Sequence, residues 1–220
     1  MRSNASILTG LAFLLGATLL MGGCLNDGIP GSGHAATEKR TMAAFTRVEL
    51  SGAADVETSI GPVQSVEVAL DDNLLPLIET KVEGGTLEIN STKSYNSSLG
   101  LKVKIVAPSL EGFTVSGAVN LHSTGLDAKT FSLTISGAGD ADLSGRADLL
   151  DVQVSGAAKI RAFALAAKAV KLDLSGAGNA QVTATESLDA TVSGAGNVNY
   201  RGHPAHVKKD VSGAGSIEAE

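Results

Sequence analysis

The triplet Ser-Gly-Ala occurs seven times, starting at Ser51, Ser116, Ser136, Ser155, Ser175, Ser193 and Ser212. From Ser116 onward the gaps are 20, 19, 20, 18 and 19 residues. A fixed period of this length marks a repeat architecture, in which each unit buries its apolar side only by stacking on its neighbours. The residue before each Ser is apolar: Leu50, Val115, Ile135, Val154, Leu174, Val192 and Val211. Two places earlier stand Val48, Phe113, Leu133, Val152, Leu172 and Ala190, then Lys209. A polar residue separates each pair, so the pattern has period 2, the signature of a half-buried strand. Five places after the Ser the chain is apolar again, at Val56, Leu121, Ala141, Ile160, Ala180, Val198 and Ile217.

Each unit therefore reads as strand, small-residue bend, then strand or turn. Stacked at the usual strand spacing of about 4.8 Å, the units form an all-β solenoid, a β-helix with coils of about 19 residues. Val, Leu and Ile ladders lie inside, and Ser and Thr ladders outside. Aromatics are only 3% of the chain and Trp is absent, so the core is aliphatic. "AFALAAKAVKL" (162–172) resembles an amphipathic helix in isolation, but its place in the repeat assigns it to a coil.

A Gly-rich "SGAG" also suggests a phosphate cradle. Such a loop needs a helix start behind it and a Lys-Ser/Thr after its glycines. Neither is present, so Gly194 and its equivalents read as bends. Asp55, Asn120, Asp140, Asn179 and Asn197, four places after the Ser, are residue types suited to corners. Between Phe45 and Leu110 the spacing is looser, and this part is expected to cap the solenoid. "EGG" (83–85) signals a turn there, and "NSTKSYNSS" (90–98) a polar loop.

The N-terminus is a targeting segment. A short cationic start leads into the apolar run "ILTGLAFLLGATLL" (7–20), shorter than a membrane-spanning helix needs, and then "LMGGC" (20–24). Small residues before a Cys resemble a bacterial lipobox, which makes residues 1–23 a lipoprotein signal peptide and Cys24 the lipid acceptor. Met21 stands where the lipobox usually has Leu. Cys24 is the only Cys, so no intramolecular disulfide is available to it. Leu25 rather than Asp follows it, which by resemblance to lipoprotein sorting favours the outer membrane. Residues 24–42 read as a flexible tether, and 43–220 as the folded domain.

"FTRVELSGAADVETSIG", "LKVKIVAPSLEGFTVSGAVNL" and the serial SGA units resemble the head GIN domain of the auto-transporter adhesin family, over Phe45 to Glu220. The resemblance implies a right-handed parallel β-helix on bacterial envelope proteins, often lipoproteins. It implies no established activity.

Candidate chemistry is thin. The net charge of −6 and the absence of a basic cluster argue against nucleic acid. "HPAH" (203–206) holds the only His pair, and His34 and His122 are far from it in sequence, so a solvated loop is the better reading than a metal site. Asp140, Asp142, Asp151 and Asp173 fall on neighbouring coils, as do Glu186 and Asp189, but not as a facing pair of the kind that cleaves a glycoside. No catalytic residue, metal ligand or cofactor is assigned. The expectation is a non-enzymatic, adhesin-like head whose partner is a glycan or surface protein. The alternatives are a structural component that self-associates, and behind it a polysaccharide-acting enzyme. Tyr95 and Tyr200 are the only candidates for an exposed sugar-stacking platform.

Overall fold

A computed structural model describes residues 28–220. Cys24 and the signal segment lie outside the described residues. The elements run β1 (Ile29–Pro30), β2 (Ala35–Arg40), β3 (Arg47–Ile60), β4 (Ser65–Asp71), one 3-10 turn (Leu75–Leu77), β5 (Ile78–Glu83), β6 (Thr86–Ser91), β7 (Tyr95–Asn96), β8 (Lys102–Ala107), β9 (Gly112–Arg201), β10 (His206–Gly213) and β11 (Ser216–Ala219). The fold is all-β, and "AFALAAKAVKL" is strand, as its place in the repeat requires.

β9 is an extended path of 90 residues that packs on itself in successive levels. Its beginning pairs in parallel with β3, Ser51 with Ser116, Gly52 with Gly117 and Ala53 with Ala118. Its end pairs in parallel with β10, Ser212 with Ser193 and Gly213 with Gly194, and with β11, Ile217 with Val198. Equivalent residues of the sequence repeat thus lie side by side. The glycines form one column. A Cβ on Gly137 would sit 2.1 Å from the Gly117 carbonyl oxygen, and one on Gly156 would sit 2.0 Å from that of Gly137. Each also has φ near +140°, which an L side chain rarely adopts. The SGAG bends thus require glycine twice over, for conformation and for space.

The interior follows the period-2 pattern. Val48, Phe113, Leu133, Val152, Leu172 and Ala190 are all buried, as are Val56, Leu121, Ala141, Ile160, Ala180, Val198 and Ile217. Two hydroxyls interrupt this core at one level. Buried Thr58 donates to the buried Ser123 Oγ at 2.7 Å. Ser123→Ala is expected to cost about 1–2 kcal/mol by stranding the Thr58 donor. Thr58→Val added to it should recover part of that loss in urea denaturation.

The two ends of the stack differ. At the N-terminal end the second half of β3 is covered by β8 and the first half by β6, both parallel. β4 then pairs antiparallel with β8, β2 with β4, and β5 with β6 through the turn at Gly84 and Gly85. The sheet is mixed as a result. At the C-terminal end nothing among the described residues covers β10, whose residues are all exposed. Val207 and Val211 are 43% and 42% exposed. Between them Lys209 takes the place that Ala190 and Leu172 fill in the levels beneath. Its ammonium donates to the Ile217 carbonyl at 2.9 Å and lies 4.7 Å from the Tyr200 ring centroid.

Within the stretch expected as a tether, residues 29–30 and 35–40 are strands. β1 pairs with β7 and β2 with β4. The segment lacks apolar periodicity because it is an edge, held by its backbone and by three polar side chains at the end of β4. Asn73 Nδ2 donates to the Pro30 carbonyl at 2.9 Å, and its Oδ1 accepts from the Ser32 N–H at 2.9 Å. Ser32 also donates to Asp72. Asp71, inaccessible to solvent, accepts from the Gly33 N–H at 2.7 Å and from the Ser97 hydroxyl. Those bonds, the Ser97 hydroxyl first, hold its carboxyl below the usual range against the opposing effect of burial.

Candidate functional site

Alternation places every second residue of a level outside. On one face, each level therefore contributes a pair of outward side chains. The pairs run Lys102/Lys104 on β8, Asp55/Glu57 on β3, then Asn120/His122, Asp140/Asp142 and Lys159/Arg161 along β9. Asn179/Gln181 and Asn197/Asn199 continue the series. The N-terminal half of this face forms a cleft of about 550 Å³, reached also by Glu67 and Ala69 of β4 and Thr37 of β2.

Arg161 organises the cleft floor. Its guanidinium binds both oxygens of Asp142, one at 3.0 Å, and reaches Asp140 at 3.0 Å. Its position one level above Asp142 suits such a fork. The Asp142 carboxyl is held below the usual range, first by the Arg161 hydrogen bonds; partial burial opposes this, and the charges of Arg161, His122 and Lys159 add to it. Asn120 donates to Asp55 at 2.7 Å. Among the described residues, Lys102, Lys104 and Glu57 have no ion-pair partner, although all three are exposed. The cleft thus combines satisfied, positioned groups on its floor with uncommitted charges of both signs at one end.

Arg161→Gln is expected to move the Asp142 titration upward. A lowered native pKa stabilises the fold above the ordinary carboxylate pKa of about 4 and loses that contribution as pH falls through the native value. The variant should therefore lose the contribution at a higher pH than the parent, which carboxyl NMR titration tests.

The carboxylates named from the sequence are dispersed. Asp140 and Asp142 share one guanidinium, and Asp142, held ionised, is ill suited to donate a proton at neutral pH. Asp189 pairs with Lys208 at 3.3 Å, and Asp173 accepts from Ser175. His203 and His206 are exposed at the two ends of a short loop. Among the described residues no group of three or more His, Cys, Asp or Glu side chains is placed to hold a metal ion. Tyr200 is buried and Tyr95 half-buried, so neither forms a platform. Arg161, Lys102 and Lys104 were absent from the sequence candidates. Adding 19 to Asp142 gives Arg161, so the repeat itself carried that signal.

A family model described as "Putative auto-transporter adhesin, head GIN domain" matches residues 44–204. No curated protein matches the chain. Among solved structures, a "putative adhesin" from Bacteroides fragilis is 24% identical, with a TM-score of 0.74 over 88% of this chain and 100% of that one. A "putative adhesin" from Parabacteroides merdae is 22% identical, with a TM-score of 0.55 over 88% and 99% of the two chains. One from Parabacteroides distasonis is 23% identical, with a TM-score of 0.52 over 88% and 100%. At these identities the likeness concerns the fold.

Proposed function

Because this chain belongs to the auto-transporter adhesin, head GIN domain family, we propose that it is a non-enzymatic binding module of the bacterial envelope, anchored by lipid on Cys24, with the outer membrane as its site. Its domain is a right-handed parallel β-helix with coils of about 19 residues, a reading supported by the 19-residue parallel registers of β10 and β11. The ligand is a hydroxyl-rich glycan held in the cleft. The observation that carries this is the lining: carboxylate, amide and imidazole groups repeat at strand spacing, while Lys102, Lys104 and Glu57 remain uncommitted. Such planar polar groups suit hydroxyls, and the half-buried Phe163, under Arg201 at 3.9 Å, adds one apolar contact on the same face.

A glycan array with a soluble form spanning 28–220 tests this. Saturable retention that Lys104→Glu abolishes supports the cleft. Retention unaffected by Lys104→Glu and Arg161→Gln moves the ligand elsewhere, and cleaved products in mass spectrometry overturn the non-enzymatic reading. A blank array favours the structural alternative, for which the exposed column Ala118, Ala138, Ala157, Ala177 and Ala195 is the available packing face. For the anchor, Cys24→Ser is expected to leave the fold intact and shift the protein from membrane to soluble fractions. Retention in membranes would refute the lipid assignment.

A further inference from the structure

The chain is tied down as far back as Ile29. The Ile29 N–H donates to the Ser94 carbonyl at 3.0 Å and that of Gly31 to Asn96 at 2.7 Å. The Asp71, Asp72 and Asn73 side chains then clasp residues 30–33. Gly31 is seated so closely that a Cβ there would lie 2.5 Å from the Asp71 carboxylate. Four peptide steps separate Gly28 from Cys24, and even fully extended they span at most about 14 Å.

We propose that the domain docks directly on the lipid headgroup layer, with the β1–β7 end facing it, rather than standing off on a tether. This rests on the reading of Cys24 as the lipid acceptor. The surface fits a polar partner: Thr92, Lys93, Ser94 and Ser98 near β1 are exposed, and among the described residues Ile29 is the one large apolar residue exposed there, at 36%. That chemistry meets headgroups without inserting. β7, with β1 paired to it in parallel, lies across a surface pocket from Gly52 and Ala53 of the first level. β10 lies six strand spacings further on, about 29 Å away. The cleft belongs to the near half, since Ala69 at its rim is two residues from Asp71, about 7 Å along the strand. Its ligand is therefore reached at the same membrane surface, not at a distance from it.

The test uses full-length lipidated protein in phosphatidylethanolamine/phosphatidylglycerol vesicles carrying a headgroup-linked quencher, purified by flotation. A dye is placed at Lys93→Cys in one preparation and at Ala214→Cys, on the last level, in another. Severalfold stronger quenching at residue 93 than at residue 214 is expected. A Gly-Ser segment inserted after Asp27 should bring the two values together. Floating protein with equal quenching at both sites overturns the docking, whereas an insertion without effect supports it and assigns it to the β1–β7 surface rather than to the short arm. Protein that does not float refutes the Cys24 reading, and the docking with it.

Discussion

Gly156→Ala should destabilise the domain by about 3–5 kcal/mol, against about 1–3 kcal/mol for Gly52→Ala. Both glycines hold positive φ, +142° and +111°, so both variants carry backbone strain. They differ in what the new methyl meets. At Gly156 it is driven to 2.0 Å from the Gly137 carbonyl oxygen and 2.9 Å from its carbon, and that backbone cannot recede without breaking the ladder. At Gly52, in the first level, nothing lies within 4 Å of it. Denaturation midpoints at unchanged m-value measure the difference. Equal losses at the two sites would refute the account of the bends as a stacked backbone column.

Lys209→Leu is expected to raise the association state above that of the parent, in a concentration-dependent way. β10 presents unpaired backbone groups and two half-exposed valines, a ready template for another strand. Lys209 points inward between them, its stem over the core and its ammonium on the Ile217 carbonyl. Pairing a second edge there would bury that charge, which is costly without a partner. Leucine removes the cost and completes an apolar strip from Val207 to Val211. Light scattering reads the mass, and Lys209→Arg should keep the mass of the parent. An unchanged mass for Lys209→Leu would show that the charge is not what keeps the end free.

The repeated half of the fold was legible because each level reuses one instruction. The apolar column from Val48 to Ala190, the glycines and the strand in 162–172 all follow from phase within a 19-residue unit. Lys209 broke the column in the sequence, and it sits at the last level, where the column has no further neighbour. The N-terminal segment was not legible. β2 is an edge strand whose pairing uses backbone and whose outward residues are polar, so no periodicity announces it. Its clamp, Asp71 with Asn73, is seen only when residues about 40 apart in the chain are brought together. The cleft was half legible: its columns follow from the repeat, whereas β8, β4 and β2, which extend the sheet beyond β3, do not share the repeat.

Pairing distance along the chain sets an order of assembly. Levels within β9 and at its end join residues about 19 apart, as Arg146 and Asp127 do, whereas β3 meets β9 across 65 residues. Closing the longer loop costs only about 1 kcal/mol more. It must also wait for a level of β9 to exist as a template, because β3 pairs with a single partner register. The serial levels are equivalent enough to zip from any starting point, and a slip by one level preserves most contacts. β3 and the strands beyond it break that degeneracy, so the N-terminal part acts as a late register lock. A chain synthesised N-terminus first delivers the lock before the levels it must close on. The signature is a slow final folding phase, sensitive to substitutions in β3 and indifferent to those in β10.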